Sequence, residues 1–386
     1  MNDYRPVALT SLVMKVFERI VLRKLLSQTE LHLDQNQFAY KQNRSTSDAT
    51  LALLHHCYQH LERPHSFVRI LYIDFSSAFN TIQPHIMAKK LLGYGVDYSL
   101  ILWIVEFLVN RKQCVRFQSS SSSSLSTSTG APQGTVLAPV LFTLYTNDCR
   151  GTDITPYIKY SDDTALVDLS DDDTTYFDEV TRFTAWCKDN HLDLNVSKTK
   201  EMVIDFRKNG VCVPDLEIDG VKVERVNEYK YLGTVIDNKL NFSANTLFLY
   251  KKCQSRIYLL QKLRNIDVNS FVLKTFYRSF IESILTFSFI CWYACLSVSD
   301  KKKVDRVVNV CSKIIGERQE NLNVLYERRC VQKGKAIMSD SKHVLVDFFE
   351  VLPSGRRIRE PKCRTTRTKK SFVPQAVRFL NKHNVL

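Results

Sequence analysis

The chain is 386 residues long, with 44% apolar and 24% charged residues, a globular composition that excludes a disordered or fibrous chain. That length can hold two or three domains with a real core. The formal net charge of +14 favours a polyanionic partner, although ribosomal, membrane-surface and heparin-binding proteins share such an excess.

Eleven cysteines, scattered and odd in number with no Cys-x-x-Cys, fit a reducing intracellular compartment and not a structural zinc site. No signal peptide is visible after Met1. The most membrane-like stretch, Ser283 to Val298, is short for a span and reads as a buried helix holding Cys291 and Cys295, so no membrane is expected.

Apolar residues at helical spacing predict a helix from Ser11 to Leu26, and Ser47 is the expected cap of a second one through Leu61. An apolar strand from Phe67 ends in Asp74 and Phe75. Pro84 sits where a helix begins, and Tyr98 to Asn110 reads as another. The serine run from Ser119 to Ser124 predicts a flexible loop. Val136 to Thr146 is helix-like. Next, two alternating segments, Tyr157 to Tyr160 and Thr164 to Val167, flank Ser161-Asp162-Asp163 and predict a β-hairpin with carboxylates at its tip. A helix is expected from Asp172 to His191, and strands over Glu201 to Phe206, Val221 to Val226 and Tyr229 to Ile236.

After about Asn241 helices dominate the pattern: Leu247 to Leu263, Asn269 to Phe289 and Asp300 to Ile315. The first carries Lys251, Lys252, Arg256, Lys262 and Arg264 interleaved with Tyr250, Tyr258, Leu259 and Leu260, an amphipathic pattern with a cationic face. Ser354 to Lys370 holds eight Lys or Arg and no apolar run, which predicts a mobile basic segment. No internal repeat is visible.

Acids have few reasons to end strands of a buried sheet. Three that converge, Asp74, Asp162 and Asp163, could hold two divalent cations, the apparatus of phosphoryl and nucleotidyl transfer. The alternative is a solvated turn plus a strand-end acid.

Seven blocks in order make the resemblance specific: Asn2-Asp3-Tyr4-Arg5-Pro6, Gln37-Phe38-Ala39-Tyr40 with Arg44-Ser45-Thr46, Asp74-Phe75-Ser76-Ser77-Ala78-Phe79-Asn80, Gly130-Ala131-Pro132-Gln133-Gly134, Tyr160-Ser161-Asp162-Asp163, Leu194-Asn195-Val196-Ser197-Lys198-Thr199-Lys200, and Tyr231-Leu232-Gly233. Over residues 2 to about 380 the chain resembles the reverse transcriptase of a non-LTR (LINE-type, jockey-like) retrotransposon. The resemblance implies an α/β (α+β) right-hand polymerase fold: fingers over 1–66, a palm of mixed or antiparallel sheet backed by helices over 67–240 with interleaved finger elements, a helical thumb over 241–320, and a basic C-terminal extension over 321–386. The reverse transcriptase region proper spans about 2–236.

It also implies RNA-directed DNA polymerase activity on an RNA template and a DNA primer with dNTPs, and two Mg²⁺ ions, with Mn²⁺ as the alternative. Asp74 and Asp162 are the implied principal ligands, with Asp163 secondary and Phe75 beside them. The backbone from Ser76 to Ala78 would hold phosphate oxygens. Phe79 would collide with a ribose 2′-hydroxyl, unless it is simply a core aromatic. Gln133 and Gly134 would meet template and nascent pair, Arg5 the triphosphate, and Tyr160 and Tyr231-Leu232-Gly233 the primer or template strand. Lys198, with Lys200 as rival, would protonate the leaving pyrophosphate. Lys251, Lys252 and Arg256 would track the duplex through its phosphates. Ala138 and Thr135 depart from the family's usual Ser and Cys.

A competing similarity links Asp237 to Arg264 with an AlkB-like dioxygenase segment, and His32-Leu33-Asp34 and His191-Leu192-Asp193 spell the required His-x-Asp. Neither lies in a jelly-roll pattern. Because the chain opens inside the Arg5 block, it is expected to lack upstream finger strands and an endonuclease domain, and a non-catalytic nucleic-acid-binding remnant is the second reading. The family places such an enzyme in the nucleus and cytoplasm.

Overall fold

The structure is a computed structural model describing residues 7–208, 210 and 213–384. Its centre is a five-stranded sheet in the order Glu224–Arg225, Lys200–Asp205, Phe67–Ile73, Asp163–Asp168, Tyr157–Tyr160. All neighbours are antiparallel except Glu224–Arg225, which runs parallel to Lys200–Asp205.

Every residue of Phe67–Ile73 is buried, because helices cover both faces of this central strand. Alternation sorts its side chains. Val68, Ile70 and Tyr72 join an apolar cluster with the helix Thr46–His60 and with the helices beyond Ser243. Leu71 and Ile73 join a second cluster with the helices Leu12–Thr29, Pro84–Gly93, Tyr98–Leu108, Ala138–Tyr145 and Asp173–Asp189. Arg69 is the exception on that strand. Its buried guanidinium is paired with Glu201 at 2.7 Å and Asp173 at 2.6 Å, and lies 3.9 Å from the Tyr176 ring centre. That pairing is what lets a charge sit inside a sheet.

Several expected elements fall into place. Pro84 opens its helix, Asp172 caps the helix that follows the hairpin, and the acidic hairpin has the predicted strands. Others differ. Ser45, not Ser47, caps Thr46–His60, in a capping box with Asp48. The serine run is a loop only in part: Ser120–Ser121 pairs with Arg116–Phe117 in an exposed arm closed by Arg111–Gln113 against Leu125–Thr127, while Ser119 and Ser122 to Ser124 lie outside the strands. Tyr229 to Ile236 is a hairpin of Glu228–Tyr231 and Thr234–Asp237 turned by Leu232 and Gly233, both at positive φ.

The helix expected over Asn269 to Phe289 is broken: Ser270–Tyr277 widens into a π turn over Arg278–Glu282, one short helical turn follows at Ser283–Leu285, and a further one starts at Phe289 after Ser288 takes φ 47°. The stretch from Ser283 is therefore a set of short buried turns, and among the described residues no helix is long and apolar enough to cross a membrane. The basic stretch from Ser354 is docked. Glu62 accepts hydrogen bonds from the Thr365 and Thr368 hydroxyls, both at 2.5 Å, and Arg367 stacks 3.3 Å from the Phe206 ring centre. Basic composition predicts mobility, but Glu62, far upstream in the chain, and Asn381, whose amide bonds the Ile358 N–H and carbonyl at 2.8 and 2.9 Å, supply anchors. All ten described cysteines are free thiols; Cys291 is buried and Cys295 half-buried.

Candidate active site

The central strands carry their acids to one end of the sheet. Ile73 pairs with Thr164, so Asp74 and Asp163 occupy the next facing positions, and facing residues of an antiparallel pair project to the same side. That side is the one holding Tyr72, and Tyr229 stacks on Tyr72 with ring centres 4.1 Å apart. Burial raises the Tyr229 hydroxyl pKa, and the Asp163 and Asp74 carboxylates raise it further, so both acids act on one phenol. Tyr160 pairs with Asp163 across a two-residue turn of Ser161 and Asp162. Ser161 holds φ 61°, a conformation such tight turns demand and a non-glycine residue rarely adopts. Asp74 and Asp162 are half-buried and Asp163 is exposed.

The Asp74 backbone is clamped from the other flank by the Leu194 to Lys200 block. Its carbonyl accepts from the Asn195 N–H at 2.8 Å, its N–H donates to the Thr199 hydroxyl at 3.3 Å, and the Ser76 N–H donates to the Asp193 carbonyl at 2.8 Å. This brings Lys198 to the acidic end, on an exposed turn. Lys200 is tied instead to Glu224 at 2.7 Å and the Ser197 carbonyl at 2.6 Å. The Phe75 ring lies 6.4 Å from that of Phe183 on the opposite face, which leaves only its backbone for the acids. Ser76 and Ser77 lead into a short turn at Ala78–Asn80, with Ser77 at φ 56° and the Ala78 side chain buried.

Phe79 is half-buried, its ring centre 4.9 Å from that of Phe142, and its carbonyl accepts from the Ala131 N–H at 2.8 Å. Gly130 (φ 73°) packs so closely that an added Cβ would meet the Asn80 backbone at 2.7 Å, so the strand-end turn and the Gly-Ala-Pro turn form one ledge. Gln133 is half-buried and Gly134 exposed on that ledge. Buried Glu18 accepts from the Val136 and Leu137 N–H groups at 2.6 and 3.1 Å, fixing the start of the following helix. The Thr135 hydroxyl accepts from the Ala138 N–H at 3.3 Å, so the departure from the family spelling keeps a local cap.

Two expectations change. The Tyr231 side chain is buried, 5.5 Å from Tyr72 between ring centres, while Leu232 and Gly233 of the same turn are half-buried. On the helix Ser243–Asn265, Lys251 and Lys252 are exposed and Arg256 is half-buried, but Tyr258 and Leu259 are also exposed, and Leu249, Cys253 and Leu260 make the buried side. Arg5 lies outside the described residues.

The sequence reading left the Gln37 to Tyr40 block without a role. The structure lays it along the acidic hairpin: Phe38 N–H donates to the Lys159 carbonyl and Lys159 N–H to the Asn36 carbonyl, each at 2.9 Å. Its order in the set of blocks was the only signal. Beside it, burial lowers the Lys41 ammonium to about 8, against the pull of Asp34.

Hard carboxylate oxygens suit Mg²⁺, which takes one or two carboxylates from a protein and completes its shell with water and substrate phosphates. The carboxylates of Asp74, Asp162 and Asp163 are donors of that hard kind, but among the described residues no group of three or more His, Cys, Asp or Glu side chains could hold a metal on its own.

The iron reading is not favoured, because the first His-x-Asp spelling has its acid committed elsewhere. Asp34 is buried in an ion pair with Lys159 at 2.7 Å.

The profile of the reverse transcriptase (RNA-dependent DNA polymerase) family matches residues 1–236. A second profile, alkylated DNA repair protein alkB homolog 8, N-terminal, matches residues 242–283, a helical segment that contains no histidine. Over 269 residues the chain is 24% identical to a probable RNA-directed DNA polymerase from transposon X-element of Drosophila melanogaster, covering 66% of this chain and 29% of that protein. It is 27% identical over 279 residues to the corresponding protein from transposon BS of the same species, covering 68% and 30%. To the RNA-directed DNA polymerase from mobile element jockey of Drosophila funebris it is 25% identical, covering 66% and 29%. The chain thus spans under a third of the length of these relatives. A solved apo telomerase from Candida tropicalis is similar at 10% identity and TM-score 0.42, over 86% of this chain and 60% of that one. With the family profile covering most of the chain, this protein belongs to the reverse transcriptase (RNA-dependent DNA polymerase) family.

Proposed function

We propose that the chain is the polymerase portion of a non-LTR retrotransposon and performs RNA-directed DNA synthesis, adding dNMP units to a primer 3′-hydroxyl. The observation that carries this reading is the placement of Asp74 and Asp163 at facing positions of the two central strands, with Asp162 in the adjoining turn. Asp74, Asp162 and Asp163 would hold two Mg²⁺ (or Mn²⁺) together with the incoming dNTP; bound there, the ions supply charge neutralisation at the reacting phosphate.

The remaining work falls to this chain's own groups. The Ser76 to Ala78 turn would meet the phosphate oxygens through the Ser77 and Ala78 amides, since the Ser76 N–H is taken by the Asp193 carbonyl, and Arg5 would add a guanidinium. The Phe79 ring, braced by Phe142, closes the space a 2′-hydroxyl would need. Lys198, exposed where Lys200 is tied to Glu224, would deliver a proton to the departing pyrophosphate. Gln133, Gly134, Tyr160, Leu232 and Gly233 border the path of template and primer, and Lys251, Lys252 and Arg256 meet the duplex phosphates. In hand terms, residues 1–66 are fingers, 67–240 palm, 241–320 thumb and 321–386 a C-terminal extension, in a protein working in the reducing nucleus and cytoplasm.

The test is primer extension on poly(rA)/oligo(dT) with Mg²⁺. Extension that disappears in Asp162→Ala supports the reading. Salt-sensitive nucleic-acid binding with no extension by the unaltered chain would overturn it in favour of a binding remnant.

A further inference from the structure

The turn that carries Asp162 and Asp163 is built around a strained residue, and a side chain from outside the sheet holds that residue. Ser161 sits at φ 61° between Tyr160 and Asp162. Gln37, 2% exposed, presents its amide to the Ser161 peptide group: its oxygen accepts from the Ser161 N–H at 3.1 Å, and its NH₂ donates to the Ser161 carbonyl at 3.5 Å. The same Gln37 oxygen accepts from the Ala39 N–H at 3.0 Å, which fixes the amide in its own loop. Tyr40 reaches the other side of the serine, its hydroxyl 3.0 Å from Ser161 Oγ.

The loop itself is immobilised. The Lys159 ammonium binds Asp34 at 2.7 Å and the Cys149 carbonyl at 2.7 Å, and the Asp34 N–H donates to Asn147 at 2.7 Å. A hairpin tip with only its two strands to define it is free to exchange turn types, and each turn type aims the next two side chains differently. An amide that matches both polar groups of the central turn residue accepts one backbone orientation and leaves the others unpaired.

We propose that Gln37, assisted by Tyr40, is a positioning residue of the polymerase centre: it locks Ser161 in the left-handed conformation and so sets the aim of Asp162 and Asp163. This rests on the polymerase reading above. Gln37 touches neither substrate nor metal. Its effect is on the acids through one peptide unit.

The experiment compares the unaltered chain with Gln37→Ala, Tyr40→Phe and the double variant Gln37→Ala/Ser161→Gly, because glycine takes positive φ without a clamp. Two measurements are made on each: amide hydrogen exchange of the peptide holding residues 157–168, and single-turnover extension as a function of Mg²⁺ concentration. In Gln37→Ala the turn amides are expected to exchange at least tenfold faster. Extension is expected to slow at least tenfold with a higher Mg²⁺ requirement, while primer–template affinity and melting temperature hold. Tyr40→Phe should move both in the same direction by less. The added Ser161→Gly should restore most of the lost rate. Unchanged exchange in Gln37→Ala overturns the proposal, as does a rate loss that Ser161→Gly leaves untouched. Failure of the unaltered chain to extend any primer would sink the polymerase reading instead, and the exchange measurement would still decide whether the clamp exists.

Discussion

Thr199 receives the backbone N–H of Asp74 at 3.3 Å, and its own hydroxyl proton goes to the Asn195 carbonyl at 3.0 Å. The first acidic residue of the site is therefore held by a side chain 125 positions later in the chain. Thr199→Val keeps the shape and removes the acceptor, leaving a backbone donor unpaired. Extension should slow by about tenfold, since small misplacements of reacting groups carry large rate costs. Thr199→Ser should retain the rate. Single-turnover extension of the two variants checks this, and equal rates would refute it.

Phe79 has the Phe142 ring behind it and the Gly130 ledge beside it, so it cannot retreat from a bulky sugar. Phe79→Val should lower the preference for dNTP over rNTP by roughly ten- to a hundredfold, about 1–3 kcal/mol of discrimination. The ratio of kcat/KM values for dTTP and UTP measures it. A ratio that does not move would make Phe79 a packing residue.

The two lysines of the Leu194 to Lys200 block separate by their partners. Lys200 is engaged by Glu224, whereas Lys198 stands exposed. Lys198→Ala should slow the chemical step by about a hundredfold, the range of a lost general acid. Lys200→Ala should alter thermal stability more than rate. The reverse pattern in single-turnover rates and melting temperatures would exchange their roles.

Asp48 is buried among His343 at 3.1 Å, the Lys333 ammonium and the Ser45 hydroxyl at 2.7 Å. Burial alone would raise its pKa, but the His343 and Lys333 contacts outweigh it and hold the carboxyl down at about 2, against 3.8 unfolded. A carboxyl depressed on folding stabilises above its unfolded pKa, so this contribution, on the order of 2 kcal/mol, is complete above about pH 4 and is lost as pH falls towards 2. Denaturant unfolding of Asp48→Asn should show a loss of about 3–5 kcal/mol at pH 7, the range for breaking a buried pair, and a shallower acid limb. An unchanged acid limb would exclude this group.

The acidic hairpin was legible because it combines two strong local signals, alternation and a polar two-residue turn. Phe67–Ile73 was legible because a fully buried strand is a short apolar run. What escaped depended on partners distant in the chain. Ser47 and Ser45 are equally plausible caps by spelling, and only the Asp48 bond to Ser45 decides between them. Tyr231 looks like an available aromatic until Tyr72 and the sheet close over it. The basic run after Ser354 appears solvated until Glu62 meets it. Gln37 carries no signature of its own, since a lone glutamine in a loop has many fates.

The family profile ends at residue 236, which is not a boundary of the folded body. Leu51, Leu54 and Tyr58 of the helix Thr46–His60 share a small internal void with Cys291, Phe372 and Val373, and one continuous apolar cluster reaches from Phe38 to Leu380. An expression fragment trimmed to the recognisable enzyme would bare that helix to water as a greasy stripe, prone to aggregation. Recombinant work should begin from the uncut polypeptide, because its last third serves as the wall against which the first third is built.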